Sequence, residues 1–209
     1  PAGSLSRMIG ALRNFVAGRA GRDSPLQTAD LTIRKVAALE ALSRYQPIEP
    51  NQLDSIEVAL NLWPTSAVLD WQSLMKRSEG LRDREKHLLE TEQILRSRLN
   101  FQGTTMGFST ERLDYLWWLM ISGDVNANRM LLAVVDDDKW RDDIARLVRG
   151  TLGRQQHGRW NTTVANAWGV LAMEKYSARF ESEPVAGQVQ ARLEAQQNIR
   201  EWDKQASGG

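Results

Sequence analysis

The chain has 209 residues, enough for one sizeable core, and carries 27 basic against 26 acidic side chains for a net charge of +1. That balance leaves no electrostatic footprint for nucleic acid, and the absence of cysteine excludes disulfides, thiolate metal sites and thiol nucleophiles. The longest apolar run, Leu116 to Ile121, is far below the roughly twenty residues that span a bilayer, so no direct membrane insertion is expected.

Leu5, Met8, Ile9, Leu12, Phe15 and Val16 keep helical spacing, which predicts a helix from Ser4 to Ala17 stopped by Gly18 and Gly21. Thr28 or Asp30 can cap a second helix through Leu31, Val36, Leu39 and Leu42 to Tyr45. Pro47 and Pro50 then break the chain. Pro50 suits the first turn of a third helix through Leu53, Ile56, Val58 and Leu60. Trp63-Pro64 ends it, and Thr65 opens a fourth through Val68, Leu69, Trp71, Leu74 and Met75. From Leu81 to Leu99 a charge-rich outer helix points Leu88, Leu89, Ile94, Leu95 and Leu99 inward.

Gln102 to Gly107 reads as a loop, after which Ser109 or Thr110 opens an inner helix carrying Tyr115, Leu116, Trp117, Trp118 and Leu119. Asn126 to Val135 is a short helix. The triple aspartate Asp136, Asp137 and Asp138 caps a further helix from Lys139 to Thr151, where backbone dipoles favour negative charge. Thr162 or Thr163 caps the most apolar helix in the chain, through Val164, Ala165, Ala167, Trp168, Val170, Leu171, Ala172 and Met173 to Tyr176. An all-round apolar helix is expected at the centre of the assembly. Beyond Val185 the alternation of Val185, Gly187, Val189, Ala191 and Leu193 with polar or small residues predicts half-buried strand, with a marginal helix as the competing reading.

Three stretches share one frame: Trp63, Thr65, Trp71, Leu74; Phe108, Thr110, Leu116, Leu119; and Trp160, Thr162, Trp168, Leu171. An aromatic residue, a hydroxyl cap and two large apolar residues three apart, recurring about every fifty residues, fit repeated helical hairpins. The fold class is therefore all-α, an α/α toroid of hairpins, complete or partial, over residues 1–182, with a short C-terminal β segment over 183–209 that begins a truncated β-sandwich or a tail. Pro1 and the Ser207-Gly208-Gly209 end suggest a piece of a longer protein.

Candidates for chemistry are sparse. His87 falls on the charged face beside Glu85 and Lys86, His157 lies in the Gln156-His157-Gly158 loop, and two distant histidines make no metal site. Carboxylate pairs could come from Asp114, Asp124, the cluster at 136–138 and Glu174, which keeps open a toroid enzyme acting on a polysaccharide. Asp124 and the cluster read better as turn and cap residues. The tryptophans read as core. A repeat scaffold with one concave binding surface is a third possibility.

The segments RGTLGRQQHGRWNTTVANAWGVLAMEKYSARFE, LDYLWWLMISGDVNANRMLLAVV and NLWPTSAVLDW resemble the helical thioester-type domain of bacterial alpha-2-macroglobulins, large extracytoplasmic relatives of complement proteins. The likeness runs from about the second helix to Phe180. Its most specific part spans Gln155 to Tyr176, where Gln155, Gly158, Trp160, Thr162, Thr163, Ala165, Ala167 and Trp168 form the family signature, structural rather than catalytic. The resemblance implies an α/α toroid followed by a β-sandwich, and a parent that traps proteases after cleavage of a bait region. It also implies a periplasmic location, with the parent lipid-anchored at the inner membrane in some members, and as partners the target proteases and the neighbouring β domains. No cofactor is implied. The family's cysteine–glutamine thioester departs here, since the chain has no cysteine. Either the motif precedes this segment, or the chain comes from the subgroup lacking the thioester, the reading its tryptophan-rich wording favours.

Overall fold

Helical periodicity in the sequence becomes seven α-helices among the described residues of the computed structural model, which are 2–20, 29–109, 116–181, 187–193 and 196–202. They are α1 (Ala2–Val16), α2 (Ala29–Ser43), α3 (Thr65–Arg77), α4 (Arg84–Arg98), α5 (Gly123–Val134), α6 (Arg141–Leu152) and α7 (Thr163–Phe180). Two antiparallel hairpins, β1 (Leu99–Gln102) with β2 (Thr105–Phe108) and β3 (Gly187–Leu193) with β4 (Gln196–Trp202), complete a mostly helical chain. Gly18, at φ 70°, ends α1 in the left-handed region where a Cβ would be strained. The Thr28, Thr110 and Tyr115 readings lie outside the described residues.

The centre is α3, not α7. Every residue from Thr65 to Met75 except Ser73 is buried, and the helix packs against α2, α4 and α5. Pro64 sets its start: extended at φ −63° and ψ 156°, it leaves its carbonyl to accept from the amides of Ala67 and Val68. Arg98, at the end of α4, staples this start by donating to the Trp63 carbonyl at 2.7 Å and to Thr65 Oγ1 at 3.1 Å. Around α3 gather Leu39, Leu42, Leu95, Met130 and Leu131, with Trp71 and Trp140 each 1% exposed. On α7 only Ala165, Gly169 and Ala172 are buried, whereas Val170 is 63% and Leu171 48% exposed. Small residues bring α7 close to α5 along a narrow stripe, and the large apolar side chains are left on the flanks.

Several other expectations are corrected. The stretch from Pro50 to Leu60 forms two short 3₁₀ turns, Pro50–Leu53 and Leu60–Leu62, rather than one helix, although Pro50 does open the first. The expected loop at 102–107 is a hairpin turning through Gly103 at φ 60°, with Leu99 opposite Phe108 and Gln102 opposite Thr105. The inner helix expected around Leu116 is absent among the described residues: Trp117–Leu119 is a 3₁₀ turn ended by left-handed Met120, and Trp117 and Trp118 are exposed. Its middle place in the fifty-residue repeat therefore fails, because Phe108 ends a strand. Leu89 faces solvent on α4, where Thr91 and Leu95 are the fully buried residues. The C-terminal alternation does form strands, but Val189 and Ile199 on them are exposed rather than half-buried.

Candidate functional site

The loop from Gln155 and the first turns of α7 make one hydrogen-bonded unit. The backbone amide of Gln156 donates to the Arg159 carbonyl at 2.8 Å and that of Arg159 to the Gln156 carbonyl at 3.2 Å, closing a two-residue turn. Its central residues, His157 at φ 53° and Gly158 at φ 75°, both take the positive φ that such a turn requires. The turn delivers Trp160 inward, 5% exposed, with its indole Nε1 donating to the Thr151 carbonyl at 3.0 Å. Asn166, one turn into α7, accepts from the Trp160 amide at 3.2 Å and donates to the carbonyls of Trp160 and Thr162 at 2.8 and 2.7 Å. Thr162 caps the helix, its hydroxyl accepting from the Ala165 amide at 3.1 Å.

Asp124, in the first turn of α5, fixes the same loop from below. One carboxylate oxygen accepts from Arg154 Nε at 2.7 Å and the other from the Asn161 amide at 3.3 Å. Asn128 of α5 donates to the Ala165 carbonyl at 2.9 Å. Of the eight signature residues, Trp160, Ala165 and Trp168 thus pack in one cluster, which Thr162 adjoins as the helix cap. Gly158, Thr162, Thr163 and Ala167 are exposed and Gln155 is half-buried at the turn's edge. Asn166 and Asp124 carry the unit as much as any of them, and sequence reading did not single out Asn166 at all.

A second polar cluster was also missed. Glu40, whose side chain is 8% exposed, pairs with Arg44, just past the end of its own helix, at 2.6 Å and with Arg77 of α3 at 2.7 Å. Asp70 of α3, 10% exposed, pairs with Arg129 of α5, itself 11% exposed. Trp168 receives both sides: the Arg44 guanidinium lies 5.8 Å and that of Arg129 5.3 Å from its ring centre. Burial pushes the Glu40 carboxyl up, but the hydrogen bonds and charges of Arg44 and Arg77 outweigh it and hold the group below the usual glutamate value. Asp70 goes the other way, because burial, with help from the Glu40 charge, outweighs Arg129. The available signal was a lone acid inside each apolar run, VAALEAL and AVLDW.

The remaining candidates resolve into structural roles. Asp137 caps the 3₁₀ turn before α6 by accepting from the Lys139 amide at 3.1 Å, while Asp136 and Asp138 pair with Lys175 and Arg179 of α7. The Lys175 hydrogen bond, with Arg179 beside it, holds Asp136 below the usual aspartate value. Glu174 is exposed, and Asp114 lies outside the described residues. His87 is not a solvated surface group: its side chain is 19% exposed and its ring meets Trp71 edge-on at 5.4 Å, with Nδ1 3.5 Å from the Glu90 carboxylate. Among the described residues no group of three or more His, Cys, Asp or Glu side chains could hold a metal ion, and no helix is long and apolar enough to cross a membrane. Compared with protein-family models, curated proteins and solved structures, the chain matches none.

Proposed function

We propose that this chain is a non-enzymatic helical body of a bacterial alpha-2-macroglobulin-like protease inhibitor of the subgroup lacking the thioester, acting in the periplasm by conformational trapping. The observation that carries this reading is the Trp160–Asn166–Asp124 unit. Of the residues on which the family resemblance rests most specifically, Trp160 and Thr162 spend their side-chain polar groups on holding a loop and a helix start. Sequential helices also pack in pairs, α2 on α3, α3 on α4 and α5 on α6, which is the building unit of a hairpin toroid.

The body's part is mechanical. A trap needs a whole with two packings whose balance shifts when the bait is cut, and a rigid helical unit supplies faces for that rearrangement. Trp117, Met120 and Val170, each more than 60% exposed, offer apolar surface to the neighbouring β domains and to the enclosed protease. A polysaccharide-cleaving toroid gains no support, since Glu174 is exposed on α7 and Asp124 is committed to Arg154 and Asn161.

The test is to mix the full-length parent with a broad-specificity protease. Trapping leaves cleavage of a small peptide substrate intact, suppresses cleavage of a large protein substrate and changes the parent's mobility on a native gel. Unchanged large-substrate cleavage with unchanged mobility overturns the proposal.

A further inference from the structure

Four helices meet around two nearly buried carboxylates, and the two are held unequally. Glu40 of α2 has two arginines, Arg44 and Arg77. Asp70 of α3 is ion-paired with one, Arg129 of α5, which donates to its Oδ1, while Arg44 acts on it only through its charge. Asp70 also lines a groove of about 440 Å³ between α1 and α2, walled by Leu12, Phe15, Ala38 and Ala41. Arg129 faces two ways, with Asp70 on one side and the ring of Trp168 on the other, 5.3 Å from its centre. Attachment of this flank of α7 therefore runs from Trp168 by two routes, through Arg44 to Glu40 and, closer to the ring, through Arg129 to Asp70.

We infer that Asp70 and Arg129 form a proton-operated clasp for α7: when Asp70 takes a proton from solvent through the groove, Arg129 loses its anionic anchor and α7 loosens around Trp168. The charged groups facing Asp70 are Arg129 from α5, Glu40 and Arg34 from α2, and Arg44 just beyond the end of α2, with Arg77 of α3 bound to Glu40 behind them. Burial and the neighbouring Glu40 charge disfavour its ionised form, whereas Glu40 is kept ionised by its two arginines, so Asp70 takes the proton first. The sign matters for what opens. A carboxyl raised in the folded state binds its proton more readily there than in the unfolded chain, so this step costs no global stability on acidification. It redistributes contacts locally, at α7, while α2, α3 and α4 stay packed. The inference concerns the chain's own packing and does not depend on the function proposed above.

The experiment titrates the whole chain with two readouts. The emission of wild type minus that of Trp168→Phe isolates Trp168, and amide exchange, corrected for its intrinsic pH dependence, follows α7 and α3 separately. The expected result is one acid-side step in Trp168 emission, coincident with on the order of tenfold faster exchange in α7, the scale of losing one charged hydrogen bond, with α3 unchanged. Asp70→Asn, a fixed neutral mimic, shows the faster α7 exchange at every pH and no step. The inference is overturned by a flat wild-type titration, by a step that survives in Asp70→Asn, or by equal acceleration in α3. Because the wild-type titration stands alone, a variant that fails to fold still leaves a decisive reading.

Discussion

Gly169 of α7 lies against the indole of Trp160, so that a Cβ at position 169 would stand 2.6 Å from the ring carbons Cε3 and Cη2. The ring has little room to retreat, since its Nε1 is tied to the Thr151 carbonyl and Trp160 is almost fully buried. Alanine in place of a mid-helix glycine would by itself add about 1 kcal/mol. Overpacking costs about 1–3 kcal/mol and is expected to win here. Gly169→Ala should therefore lower stability by up to about 2 kcal/mol in urea unfolding, and Trp160→Leu in that background should cost less than it does in the wild type, because the two sites share one contact.

Gly150 of α6 gives a harsher case, because its neighbour is backbone. A Cβ there would lie 3.0 Å from the carbonyl carbon of Met106 and closer still to its oxygen. A ring can tilt, but a hydrogen-bonded strand cannot. Gly150→Ala is expected to destabilise more than Gly169→Ala and to release β2 from α6, read as faster amide exchange over Thr105–Phe108. Equal exchange in the two proteins would count against the close packing of α6 on β2.

Glu40 and Asp70 should give opposite pH signatures. The Glu40 carboxyl is lowered in the fold, so its contribution is present above the usual glutamate value and is lost as pH falls through its folded value. Glu40→Gln is expected to lose about 2 kcal/mol at neutral pH, with the gap to wild type closing in strongly acidic buffer. Asp70 is raised, so ionising it removes stability as pH rises through its folded value. The gap for Asp70→Asn should therefore shift in the stabilising direction as pH rises. Denaturant midpoints measured across pH distinguish the two, and parallel curves would contradict the assignment.

Removing the α7 cap tests how the signature unit is held. Thr162→Ala loses one hydrogen bond to the Ala165 amide and should cost about 1 kcal/mol. Asn166→Ala loses contacts to the Trp160 amide and to two carbonyls and should cost more, about 2 kcal/mol. The double variant is expected to cost less than the sum, since both residues fix the same turn. Strict additivity in thermal or urea unfolding would mean that the loop and the helix start are independent.

Much of the local structure was legible in the residues. The α1 periodicity, the proline before α3, the threonine cap of α7 and the strand alternation after Val185 each express a short-range rule that needs nothing beyond neighbouring residues. The candidate site was half legible: Trp160, Thr162, Ala165 and Trp168 were marked, but Asn166 and the acids Glu40 and Asp70 were not. A polar residue's role depends on what the chain brings against it from about 30 to 60 positions away, as with Arg77 beside Glu40 and Arg129 beside Asp70.

The sequence by itself determined the end of α1, the starts of α3 and α7, and that this chain uses no thiol chemistry, because capping, proline geometry and composition act within a few residues. Only the tertiary structure decided which helix is central. The apolar α7 ended on the outside and the polar-spotted α3 inside, because burial follows from how many neighbours an element can approach. Ala165, Gly169 and Ala172 let one helix come close along a narrow stripe, whereas α3 is enclosed on three sides by other helices, with Arg98 and Arg129 reaching in to Thr65 and Asp70.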